Sequence, residues 1–162
     1  MDTSLKILTV TELLPKIHSL VSKGKRIVFT NGCFDLIHAG HVDYLNAAKK
    51  EGDILFVGLN SDKSVKKIKG IKRPVICEEQ RAKVLSALQS VDFVSIFDEP
   101  DPLMLIYAVK PHILVKGADW DEKKIIGSEF VKKNGGKVVR ITFNTDISTS
   151  RIIDTIIRRY SL

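Results

Sequence analysis

Cysteine is scarce in this chain: its 162 residues include two, Cys33 and Cys77. Neither sits in a CxxC pair or in a Cys/His set at metal-ligand spacing. That argues against a disulfide framework and a structural zinc site, and both are read as free thiols. Long apolar runs are missing too. No stretch approaches the ~18–20 residues that cross a bilayer, and Met1 to Leu8 lacks a basic start followed by a long apolar segment. The expectation is a cytoplasmic protein without a secretory leader or membrane contact. There is no internal repeat, low-complexity tract or linker. Arginine-rich tails and the aromatic-plus-basic motifs of RNA modules are likewise lacking, although the net charge is +7. The expected partner is therefore a small anionic molecule rather than nucleic acid, though charge alone does not choose.

What is present reads as one globular unit, with residues 1–24 as an N-terminal helix and 25–162 as a core. Thr9 to Glu12 fits a capping box, and Val10, Leu13, Leu14, Ile17, Leu20 and Val21 recur at helical spacing. Pro15 is expected to bend or restart that helix, and Gly24 to end it. Short apolar strands then alternate with helices. Strands are expected at 26–30, 54–59, 93–97, 113–115 and 137–143, and helices at 41–50, 78–88, 102–109, 122–133 and 148–160. The stretch 66–77, rich in lysine, reads as a mobile loop near a ligand. Such alternation predicts an α/β fold, with a mostly parallel five-stranded sheet covered by helices on both faces. Ligands of such sheets bind at the carboxyl ends of the strands.

The central motif is Thr30-Asn-Gly-Cys-Phe-Asp-Leu-Ile-His-Ala-Gly-His41. A buried strand ends, a glycine-containing loop follows, and His38-Ala-Gly-His41 opens a helix. Free N–H groups at a helix start favour phosphate. His38 and His41, three residues apart, can face one ligand, and Gly40 permits close approach. Ser148-Thr-Ser150 before an isoleucine-rich helix offers hydroxyls and N–H groups to an anion, or simply caps the helix. Lys116-Gly117 follows a strand and is a site residue or a turn lysine. Trp120 is read as half-buried packing, and His18 and His112 as structural.

The histidine motif resembles the HxGH signature of the cytidylyltransferase-like nucleotidyltransferase superfamily. Val57 to Asp62, Lys72 to Val75, Glu79 to Arg81, Ser90 to Asp92, Leu114 to Asp119 and Ile147 to Arg151 follow in that family's order, so the resemblance covers residues from about 26 to 158. The pattern is most similar to the adenylyltransferase branch of ADP-heptose synthesis, here expected as a stand-alone form without its sugar kinase. The resemblance implies a Rossmann-like, doubly wound fold and an enzyme that uses ATP, with Mg²⁺ bound through substrate phosphates.

It also implies roles. His38 and His41 would stabilise charge at the α-phosphate, aided by one of Lys66, Lys67 and Lys69. Thr30, Asn31, Gly32, Cys33 and Phe34 would cradle the nucleotide along with Gly40. Lys116, Gly117 and Asp119 would lie by base and ribose, and Ser148 and Thr149 by the outer phosphates. Asp35, Asn60, Asp62, Arg73 and Arg81 would serve the acceptor, with Arg73 and Arg81 alternatively ordering the loop. The implied reaction is attack of a heptose 1-phosphate oxygen on ATP, releasing pyrophosphate. CTP with glycerol 3-phosphate, and a nucleotide- or RNA-binding module without turnover, remain open. A homo-oligomer and a separate upstream sugar kinase are also expected.

Overall fold

A computed structural model describes residues 3–142 and 147–160. Its five strands are β1 (Ile27–Gly32), β2 (Ile54–Asn60), β3 (Phe93–Phe97), β4 (Ile113–Gly117) and β5 (Lys137–Ile141). They form one sheet in the order β3-β2-β1-β4-β5, every neighbouring pair parallel. The chain starts at the centre, runs to one edge, and returns to fill the other. The reversal lies between β1 and β4, where their carboxyl ends diverge and open a crevice.

Alternation along the strands builds two cores. Val28, Leu55, Val57, Ile113 and Val115 point to one face. It is covered by α2 (Ala39–Lys49) and α4 (Glu78–Ala87). Ile27, Phe29, Phe56 and Leu114 point to the other, under α1 (Val10–Ser22), α5 (Leu103–Val109) and α6 (Ser128–Lys133). The expected doubly wound sheet with helices on both faces is therefore present. Ahead of α1, a 3₁₀ turn (Thr3–Lys6) leads to a bridge between Ile7 and Val94 beside β3.

The α1 capping box is complete. Thr9 Oγ1 accepts the Glu12 N–H, and the Glu12 carboxylate accepts the Thr9 N–H at 2.9 Å. Contrary to the expected break, α1 runs through Pro15 as one helix. The cap and the burial of Leu13 and Ile17 outweigh the lost backbone bond. Gly24, at φ +77°, follows the helix end as expected.

Two further differences bear on the site. Part of the stretch expected as a loop is helical: α3 (Asp62–Lys69) carries Lys66, Lys67 and Lys69, capped by Ser61. The helix expected over 122–133 is a 3₁₀ turn (Glu122–Lys124) followed by α6. Between them Gly127 holds φ +83°, where a Cβ would stand 2.6 Å from Ile106, so the chain must break there. Phe143, the last residue of the expected fifth strand, lies outside the described residues. The last helix, α7 (Thr149–Tyr160), follows. Among the described residues, no helix is long and apolar enough to cross a membrane.

Candidate active site

A cavity of about 650 Å³ opens at the carboxyl ends of β1 and β4. Its floor is the end of β1. Phe34, at φ +44°, turns the chain from the strand toward α2. A bulky residue held there costs on the order of 1–3 kcal/mol, offset by burial of the ring, which is 6% exposed. Gly32 makes room: a Cβ on it would meet the Phe34 ring at 3.0 Å. The Phe34 ring in turn lies 5.3 Å, centroid to centroid, from His41.

His38 occupies the N-cap position of α2, but its side chain makes no capping bond. Instead it stacks on His41, ring centroids 3.9 Å apart. The Nδ1 atoms of both rings are buried without a hydrogen-bond partner among the described residues. Buried polar atoms are rarely left so. Burial lowers the pKa of His38. Burial, then repulsion from His38, lowers that of His41 to about 4. Both imidazoles are therefore neutral near pH 7, each with one N–H to donate.

Across the crevice, Lys116 is 9% exposed at the end of β4. Its ammonium donates to the side-chain oxygen of Asn31. Burial, opposed by Cys33 and Asp119, depresses its pKa to about 8. Gly117, Asp119 and Trp120 continue that wall. Ser148 and Thr149 close it at the start of α7, where Ser148 Oγ accepts the Arg151 N–H at 3.3 Å. Capping and cavity lining thus coincide at Ser148. Cys33 also faces the cavity, but burial raises its pKa and keeps the thiol protonated.

On the β2 side, Asn60, Lys69 and Arg73 line the cavity. Of the three competing lysines Lys69 alone does so; Lys66 and Lys67 are exposed elsewhere on α3. Asp35 also lines it, but its carboxylate accepts Arg73 Nε at 2.6 Å and the N–H groups of Val75 and Ile76. Burial alone would raise its pKa; these bonds outweigh burial and lower it. Asp35 thus fastens the 73–76 segment over the site.

Five residues assigned to ligands by resemblance do not line the cavity. Thr30 is fully buried, sharing a 2.7 Å hydrogen bond with the Tyr44 hydroxyl. Gly40 is buried in the first turn of α2, and Lys66 is exposed on α3. Arg81 is 1% exposed and makes four hydrogen bonds to protein, to Ile76 O, Cys33 O, Asn60 O and Asp62 Oδ1. Of its two expected roles, the structure supports ordering the loop. Asp62 is its ion-pair partner at 2.6 Å and is occupied by it. Asp101 went unnoticed in the sequence; it lines the cavity while its Oδ1 accepts the Leu103 N–H at the start of α5. Trp120, expected as half-buried packing, is 48% exposed and lines the cavity.

A larger hollow of about 1030 Å³ lies beside α5 and α6, lined by Tyr107, Phe130 and Arg140. It holds none of the motif residues. Among the described residues, no three His, Cys, Asp or Glu side chains cluster as a metal cage. A cation carried on a substrate's phosphate oxygens and water fits this donor set.

The family model described as cytidylyltransferase-like matches residues 29–158. The Bifunctional protein HldE of Pelobacter propionicus is 50% identical over 160 residues, 99% of this chain and 33% of that protein. The chain thus spans about a third of the length of the curated relatives it matches. The crystal structure of the lipopolysaccharide core biosynthesis protein from Thermoplasma volcanium is similar at a TM-score of 0.63 and 30% identity, covering 76% of this chain and 100% of that one. Pantoate-beta-alanine ligase from Francisella tularensis, solved with beta-gamma ATP and beta-alanine, shares the fold at a TM-score of 0.64 and 18% identity, covering 89% of this chain and 68% of that one.

Proposed function

The chain belongs to the cytidylyltransferase-like family, and on that footing we propose that it transfers AMP from ATP to D-glycero-D-manno-heptose 1-phosphate, giving ADP-heptose and pyrophosphate. The observation that carries this reading is the stacked, neutral pair His38–His41 with two buried, unpartnered Nδ1 atoms. The pair shares one cavity with Lys116, Ser148 and Thr149.

In the reaction, an oxygen of the sugar phosphate forms a bond to the α-phosphorus of ATP. The bond from that phosphorus to the bridging oxygen breaks, and pyrophosphate departs in line. No protein nucleophile and no net proton transfer are needed, so positioning and charge neutralisation supply the catalysis. His38 and His41 donate to the oxygens of the α-phosphate, where charge shifts in the transition state. Lys116 holds phosphate from the β4 side, and the start of α7 receives the outer phosphates. Lys69 and Arg73 attract the acceptor's phosphate from the β2 side. Mg²⁺ on the triphosphate would supply further charge neutralisation.

The sheet's reversal at β1 supports this division into two half-sites, with nucleotide toward β4 and acceptor toward β2. The name of the Thermoplasma volcanium protein supports an envelope-glycan setting. A separate kinase reaction would supply the sugar phosphate, and self-association of the chain is part of the same reading. The family's description favours a second possibility, CTP with an acceptor such as glycerol 3-phosphate. The test is pyrophosphate release with Mg²⁺ from ATP and CTP, each offered heptose 1-phosphate, glycerol 3-phosphate or no acceptor. Release confined to ATP with heptose phosphate is expected. Release with CTP instead would overturn the substrate pair, and silence throughout would overturn the reaction.

A further inference from the structure

Trp120 is the chain's one tryptophan, and the reaction as described gives it no role. Its indole is 48% exposed on the cavity wall. The backbone fixes it there. Its N–H donates to Gly117 O at 3.1 Å, and its carbonyl accepts from Arg140 Nη1 at 3.3 Å. Ile126 and Ile147, each 40% exposed, line the same cavity. Trp120 and Ile126 follow β4, which carries Lys116, and Ile147 directly precedes Ser148 and Thr149 at the start of α7. This side of the cavity therefore combines anion-seeking groups with wet apolar surface.

A phosphate satisfies the first and does nothing for the second. Exposed apolar surface inside a binding cavity gains free energy only when an apolar part of the ligand covers it. The Lys116 ammonium lies 5.6 Å from the indole centroid, within cation–π range. A flat ring and a cation side by side suit a molecule that has both an aromatic plane and a negative charge.

We propose that Trp120 is the platform on which the nucleobase of the triphosphate stacks, with Ile126 and Ile147 flanking the base. This deepens the proposed function and rests on it. Stacking tolerates every base, so Trp120 contributes affinity, and choice among bases falls to other contacts.

The lone tryptophan provides its own readout. With Mg²⁺, ATP should quench its fluorescence at saturation, whereas tripolyphosphate, which lacks the base, should leave the emission nearly unchanged. Trp120→Leu should weaken ATP binding in equilibrium dialysis by about 10- to 100-fold without changing tripolyphosphate binding. Trp120→Phe should recover most of that loss. Wild-type ATP affinity in the leucine variant, or equal losses for ATP and tripolyphosphate, would overturn the stacking role. Pyrophosphate release by the wild type would then still leave the proposed reaction standing. Failure of the wild type to bind any nucleotide would sink both.

Discussion

Lys116 donates its ammonium to the side-chain oxygen of Asn31, linking the carboxyl ends of β4 and β1 at the base of the cavity. The pair joins the two strands between which the sheet reverses. Burial holds the lysine at about 8 rather than 10.5, so its charge is present below that pH and lost above it. kcat/KM, which reports the free enzyme, should fall as pH rises through about 8. Lys116→Arg should abolish that basic limb, because guanidinium stays charged. A pH profile with the same limb in the arginine variant would assign it to another group.

His41→Ala should lower kcat by about 10²–10³, the usual cost of removing a donor to developing charge. KM for ATP should change far less. Single-turnover pyrophosphate release separates the two effects.

The same histidine should leave a mark on stability. Its pKa is about 4 in the folded chain against an ordinary histidine value of 6.5, so on acidification the unfolded chain takes up the proton first. The contribution of neutral His41 is complete above about pH 6.5 and is lost progressively as pH falls toward 4. Thermal melts of wild type and His41→Asn should therefore differ by a constant amount above pH 6.5. Below it, the wild type should lose ground relative to the variant.

Arg81 is a clamp, and its removal should read as instability. Arg81→Met strands Asp62 and three carbonyl groups, at a cost of about 3–5 kcal/mol. For a chain of this size that lowers Tm on the order of 10 °C. KM for the sugar phosphate, measured well below the new Tm, should hardly move. A large rise in KM with an unchanged Tm would instead make Arg81 a ligand.

Two neighbouring lysines should behave differently. Lys69→Ala should reduce kcat/KM by about 10- to 100-fold, the loss of one charge-assisted contact. Lys66→Ala should leave it within about twofold, as for an exposed substitution away from the site. Steady-state kinetics on both variants check the distinction.

The sheet and most of the site were legible because periodicity and motif are local. A buried strand running into His38-Ala-Gly-His41 marks the end of β1 without knowledge of anything distant. The misreadings share a different origin. α3 is short and rich in lysine, with Val65 its one buried hydrophobic residue, so it reads as a loop although Ser61 caps it, Asp62 opens it and Gly70 closes it. Arg81 reads from sequence either as an acceptor-binding or as a loop-ordering residue, because charge normally means exposure, and only its burial favours the second. Its acceptors Cys33, Asn60 and Ile76 lie just after β1, at the end of β2 and in the 73–76 segment, far apart in the chain. Thr30 lies within the motif, but strand alternation turns its side chain beneath the floor, toward Tyr44. Trp120 was undecidable from sequence, since a packing indole and a stacking one leave the same letter.

The strand order has a consequence for how the protein comes into being on the ribosome. β1 is made first and soon finds β2, yet its other edge must wait for β4, some 80 residues later. The nascent chain therefore carries a half-paired central strand until β4 emerges. Ser148 and Thr149 emerge after every strand of the sheet. Translation thus delivers the histidines long before the groups that complete their cavity, and the cavity cannot close on a partly made sheet.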